Sequence, residues 1–165
     1  MKSLFILQLV CCVITAMLAL QLAMASLQVR WKVWRYEISR WILVASMLFF
    51  SVHYLLQMIH GLRAQGTDVG AAFNILFYTP VAFAITLSII NIESTGNKVR
   101  RYCLRGMMAY ILIAIVFVIG MFKSQSLHIG NMLYVMLGLF VASMAYFILI
   151  IRKETKARKQ KLMEN

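Results

Sequence analysis

Acidic side chains are scarce in this sequence: five Asp and Glu stand against 17 Lys and Arg in 165 residues. The five are Glu37, Asp68, Glu93, Glu154 and Glu164, all in loops or in the tail that follows the last apolar run. No two of them make the carboxylate pair that general acid–base chemistry uses. A nucleophile elbow and a phosphate-binding glycine loop are also missing, so the sequence predicts no enzyme and no catalytic residue. Cysteine is limited to Cys11, Cys12 and Cys103. With no CxxC and no Cys/His ligand spacing, these three predict neither a zinc site nor a redox dithiol, and no pair of them suits a disulfide. Charge as a whole is low, at 13% of residues against 62% hydrophobic. Soluble domains carry roughly 25% and 45–50%. That imbalance points to lipid as the solvent.

The net charge of +12 raises the question of nucleic acid. The cations, however, sit in short segments between apolar runs, and no segment is long enough to fold into a phosphate-binding face. They read as topology signals, with no direct contact to nucleic acid expected.

A bilayer core of about 30 Å takes roughly 20 helical residues to cross. Five runs qualify: Leu4–Leu27, Trp41–Leu62, Val69–Ile92, Met107–Phe122 and Ile129–Ile151. The predicted fold is therefore all-α, a five-helix transmembrane bundle over 1–151 followed by a basic helical tail over 152–165. The first run has a rival reading as a signal peptide, because Lys2 precedes it and Ala23-Met24-Ala25 resembles a cleavage site. Charge decides between the two. With the first run kept as a helix, Arg30, Lys32, Arg35, Arg40, Lys98, Arg100, Arg101, Arg105 and the six cations of the tail fall on one side, leaving Lys2, Arg63 and Lys123 on the other. The positive-inside rule then sets the N-terminus outside and the tail in the cytoplasm. Trp31, Trp34, Tyr36 and Trp41 fall where aromatic rings anchor at headgroups. Trp31, Trp34, Ile38 and Trp41 share one helical face, which fits either a short interfacial helix or a plain extension of the second span.

Within the spans, polar residues form stripes. Gln8, Cys12, Thr15, Ala19 and Ser26 share one face of the first run, a pattern that serves helix packing. Ser46, His53, Gln57 and His60 share one face of the second. Histidine inside a membrane is a functional candidate by default. His53 and His60 are two turns apart, about 10 Å in rise, so one metal ion does not reach both. His60 and His128 both lie near the outer rim. The stripe reads as ligand or pH sensing through His53, Gln57, His60, Asn74 and His128, as a haem site, or as histidine buried for its hydrogen bonds; no metal or other cofactor is predicted. Pro80, after Thr79 at mid-membrane, predicts a kink or hinge. Asn74 and Asn91 are placed to pair across helices or to cap backbone groups. Gly138 and Ala142 make a small-xxx-small pair for close packing, within the bundle or between two copies of the chain. From Ala145 to Asn165 no Gly or Pro intervenes, so the last span is expected to continue as one helix into the tail.

The stretch from Trp41 to Ile92, including HYLLQMIHGLRAQGTDVGAAFNILFYTP, resembles the membrane-embedded input region of sensor histidine kinases and membrane-bound AraC-type regulators of Bacteroidota. The likeness covers the membrane portion only, and these 165 residues hold no kinase motif and no helix-turn-helix domain. It implies a signal-input module that hands its signal to a cytoplasmic kinase or DNA-binding output domain. Two other classes compete with it: an accessory subunit of a membrane complex, and a haem-binding or transport component.

Overall fold

The computed structural model describes residues 2–25, 33–61, 65–93 and 96–163, and these form five helices with no strand among them. They are α1 (Lys2–Met24), α2 (Val33–His60), α3 (Thr67–Glu93), α4 (Gly96–Ser124) and α5 (Met132–Met163). Each is long and apolar enough to cross a membrane. The protein is an all-α bundle of a multi-pass membrane type.

Four of the five helices are longer than their apolar runs, because hydropathy marks what suits lipid and not where hydrogen bonding stops; α1 ends at Met24, and Ser26 and Leu27 lie outside the described residues. α2 starts at Val33, so Trp34 and Tyr36 belong to its first turns and the plain extension of the second span is the arrangement found; Trp31 lies outside the described residues. Glu37 pairs with Arg40 at 2.6 Å there, and the Arg40 guanidinium lies 5.6 Å from the Trp41 ring. α4 starts at Gly96, well before Met107, since Lys and Arg are good helix formers and nothing between them breaks the helix. α5 begins at Met132 instead of Ile129, after a turn in which Gly130 takes a left-handed φ of 53°. It then continues unbroken to Met163, about 18 Å beyond Ile151.

The packing order explains where the site lies. α1 packs on α2, α2 also on α3, and α3 also on both α4 and α5, which pack on each other. On one flank of α3 the contacts are apolar: Ala72 and Ile75 meet Ile113 of α4 and Met136 of α5, with Ile129 closing the end. On the other flank they are polar. At the end where α2 begins and α3 finishes, the Ser39 hydroxyl donates to the Ser88 carbonyl at 3.0 Å and the Ser88 hydroxyl returns a bond to the Ser39 carbonyl at 3.3 Å. Asn91 adds bonds to the Arg35 carbonyl (3.1 Å) and the Ser39 hydroxyl (3.0 Å). Cys12 and Ser51 repeat the pattern between α1 and α2, the Ser51 hydroxyl donating to the Cys12 carbonyl at 3.2 Å and the Cys12 thiol to the Ser51 carbonyl at 3.4 Å. In lipid such reciprocal bonds are each worth about 0.6 kcal/mol on average.

Candidate functional site: a polar junction beneath a cleft

Three helices contribute to one buried polar cluster in the half of the bundle away from the basic segments. Gln8 comes from α1, His53 and Gln57 from α2, and Asn74 from α3. His53 and Gln57 are 1% exposed and Gln8 5%, so water does not satisfy them. The spacing of four between His53 and Gln57 stacks them on the face of α2 that meets both neighbours. The Gln8 amide donates to Gln57 Oε1 at 3.0 Å. The Gln57 amide nitrogen lies 2.7 Å from Asn74 Oδ1 and 3.0 Å from His53 Nε2. Asn74 Oδ1 is also 3.1 Å from His53 Nε2. The imidazole is stacked on Phe77 at 4.4 Å, with Tyr78 edge-on at 5.6 Å.

This triangle has two consistent proton arrangements. In one, Gln57 donates one proton to Asn74 and the other to an unprotonated His53 Nε2. In the other, His53 Nε2 carries a proton and donates it to Asn74 Oδ1; the Gln57 amide then loses its acceptor on the ring, and rotating it turns Oε1 away from Gln8. A proton gained or lost at one ring nitrogen therefore changes the bonds that join α2 to α3.

Above this junction a cleft of about 350 Å³ is lined by Leu4 of α1 and by Thr67, Gly70, Ala71 and Asn74 of α3. Asn74 is common to both: it lines the cleft and accepts the bonds from below.

The remaining sequence candidates lie elsewhere. His60, the last residue of α2, is exposed, and its carbonyl accepts from the Gln65 side chain at 3.3 Å. The turn to Gly61, with a φ of 56°, carries the chain away there. His128 Nδ1 sits 2.9 Å from Asp68 Oδ2, forming a surface pair between α3 and the approach to α5. Gly66 lies directly beneath, where a Cβ would come within 2.6 Å of Asp68 and 2.8 Å of His128. No group of three or more His, Cys, Asp or Glu able to hold a metal ion occurs among the described residues. Ser46 bonds back to the Ile42 carbonyl at 2.7 Å. Pro80 stays inside a continuous α3, with the Thr79 hydroxyl on the Ile75 carbonyl at 2.6 Å, and it borders an apolar groove of about 290 Å³ with Ile42, Phe49 and Val81. Gly138 and Ala142 face outward on α5, and nothing lies within 4 Å of a Cβ built at Gly138. The bundle itself does not use that pair for packing.

Sequence reasoning missed Ser39, Ser51 and Ser88 as cross-helix partners. Serine is unremarkable in a span, so none of the three stands out from its neighbours. No protein-family model, curated protein or solved structure matches the chain.

Proposed function

We propose that the protein is a membrane-embedded input module that converts a change at the outer polar junction into a movement of α5. The observation that carries this reading is the double role of Asn74, which lines the outer cleft and also holds His53 and Gln57 together. A small polar ligand or a proton entering the cleft competes for those bonds. α3 bears Asn74 and packs directly on α5, which leaves the bundle as one helix. In this reading the basic segments lie in the cytoplasm of a bacterial cell, the N-terminus lies outside the inner membrane, and α5 reaches a kinase or DNA-binding output domain, bound or fused.

Spin labels at Arg100→Cys and Lys156→Cys, with Cys11, Cys12 and Cys103 replaced by Ala, report the position of α5 relative to α4 at the basic end. Asn74→Ala is expected to shift or broaden that distance distribution while membrane insertion is retained. An unchanged distribution in a correctly inserted variant rejects the transmission mechanism.

The outward small-residue pair Gly138 and Ala142 favours a second reading, an accessory subunit whose α5 docks on another membrane helix, from a larger complex or from a second copy. Cross-linking from Val141→Cys in native membranes distinguishes the two: a defined adduct together with an unmoved α5 tail selects the subunit.

A further inference from the structure

The first turns of α4 place Lys98, Arg101, Tyr102 and Arg105 at intervals of three, one and three, which is one helical face. That face meets Lys153 and Glu154 of α5 across a cleft of about 290 Å³. Four cations and one carboxylate therefore share it. Glu154 is 7% exposed and is engaged from α4, accepting the Tyr102 hydroxyl at 3.0 Å and lying 3.8 Å from Lys98 Nζ. Arg105 donates to the Tyr146 hydroxyl at 3.2 Å. Arg101, Arg105 and Lys153 have no carboxylate partner among the described residues, and all three are exposed. The formal charge of the cleft is +3, on a wall that the buried Glu154 fixes in place.

Its depth matters as much as its charge. Met108 lies three residues after Arg105 and Leu149 four before Lys153, so each continues the face of its helix toward the membrane. Both are open, at 63% and 62% exposure. Cations one turn above two exposed apolar side chains match a molecule with an anionic head and a hydrocarbon tail. A free phosphate uses only the upper half of this surface.

We propose that the cleft between α4 and α5 binds the phosphodiester of an anionic glycerophospholipid, with Arg101, Arg105 and Lys153 facing the phosphate and an acyl chain lying along Met108 and Leu149. Basic recesses between membrane helices recognise such headgroups by charge, at a strength that each Lys or Arg raises several-fold. The site is independent of the outer junction and of any signalling role.

The test uses the full chain, delipidated in detergent and titrated separately with phosphatidylglycerol, phosphatidylcholine and inorganic phosphate, with bound species counted by native mass spectrometry. Phosphatidylglycerol is expected to bind in preference to phosphatidylcholine. Arg101→Gln with Lys153→Gln is expected to weaken it by about tenfold or more, from two lost cations. Arg100→Gln with Arg152→Gln removes the same charge from exposed positions that do not line the cleft, and binding is expected to hold within about twofold. Arg101→Lys with Lys153→Arg keeps the charge and is expected to retain binding, which separates loss of the site from loss of the fold. Equal loss in the two glutamine pairs overturns the proposal, as does equal binding of the two lipids. Binding of inorganic phosphate without any preference for phosphatidylglycerol overturns the lipid source.

Discussion

A methyl group added at Gly106 would meet the ring of Phe83, whereas one added at Gly138 would meet nothing within 4 Å. Phe83 has little room to retreat, because its ring lies 5.9 Å from that of Phe147. Gly106→Ala is therefore expected to lower the stability of the detergent-solubilised protein by about 1–3 kcal/mol, the usual cost of overpacking. Gly138→Ala is expected to be neutral, or to gain up to about 1 kcal/mol in helix propensity. Denaturant or thermal unfolding of the two variants checks both, and a destabilised Gly138→Ala would reveal a neighbouring helix that the single chain lacks. The same scale shows which site residues the sequence exposes. His53 and Gln57 announce themselves, since a spacing of four and the cost of burying polar groups in lipid leave few alternatives to an inward face. Asn74 draws notice for its amide, but periodicity within α3 does not name its partners. His60 shares the stripe on a helical wheel and yet ends exposed, because a wheel has no term for the place where neighbouring helices stop. Ser39 and Ser88 stay hidden for another reason. A serine in a helix can satisfy itself on the carbonyl four residues back, as Ser88 also does at 3.0 Å on Ala84, so its sequence carries no sign of a second partner.

Among the elements, the five helices are legible because lipid demands about 20 apolar residues for each crossing. Their ends are not. α2 and α4 run past their apolar stretches into Trp-, Lys- and Arg-rich turns that suit a helix as well as they suit a headgroup layer. α5 follows the expectation drawn from its lack of breakers, and its continuity has a measurable consequence. Two glycines inserted after Arg152 are expected to uncouple any output joined to the tail while leaving insertion and abundance unchanged, since each helical glycine costs about 1 kcal/mol and loosens the connection. Replacing Lys153, Lys156, Lys159 and Lys161 with Gln keeps the helix and removes attraction to anionic lipid. A silent glycine insertion beside a damaging charge series would make the tail an anchor instead of a lever.

For the molecule as a whole, the alternation of helices gathers the basic segments at one end, where Tyr102 reaches Glu154 and Asn91 reaches Arg35. The orientation proposed from those charges predicts that alkaline phosphatase is active when fused after Ser126 and inactive when fused after Met163. The reverse pattern would turn the bundle over and place the cleft of Asn74 in the cytoplasm.

The central position of α3 bears on synthesis as well as on the finished bundle. A ribosome delivers helices in order, so α2 enters the bilayer after α1 and before α3. Gln8 can then engage Gln57, and Cys12 can engage Ser51, but the acceptor on Asn74 and the ring of Phe77 are still to come. During that interval His53 keeps the Gln57 amide of its own helix but lacks the α3 side of its site, an expense that favours holding the first hairpin back from lipid until α3 arrives. α3 completes that surface and at the same time offers the apolar flank of Ala72 and Ile75, on which α4 and α5 assemble. α3 is thus the helix that closes the polar side of the bundle and starts the apolar one.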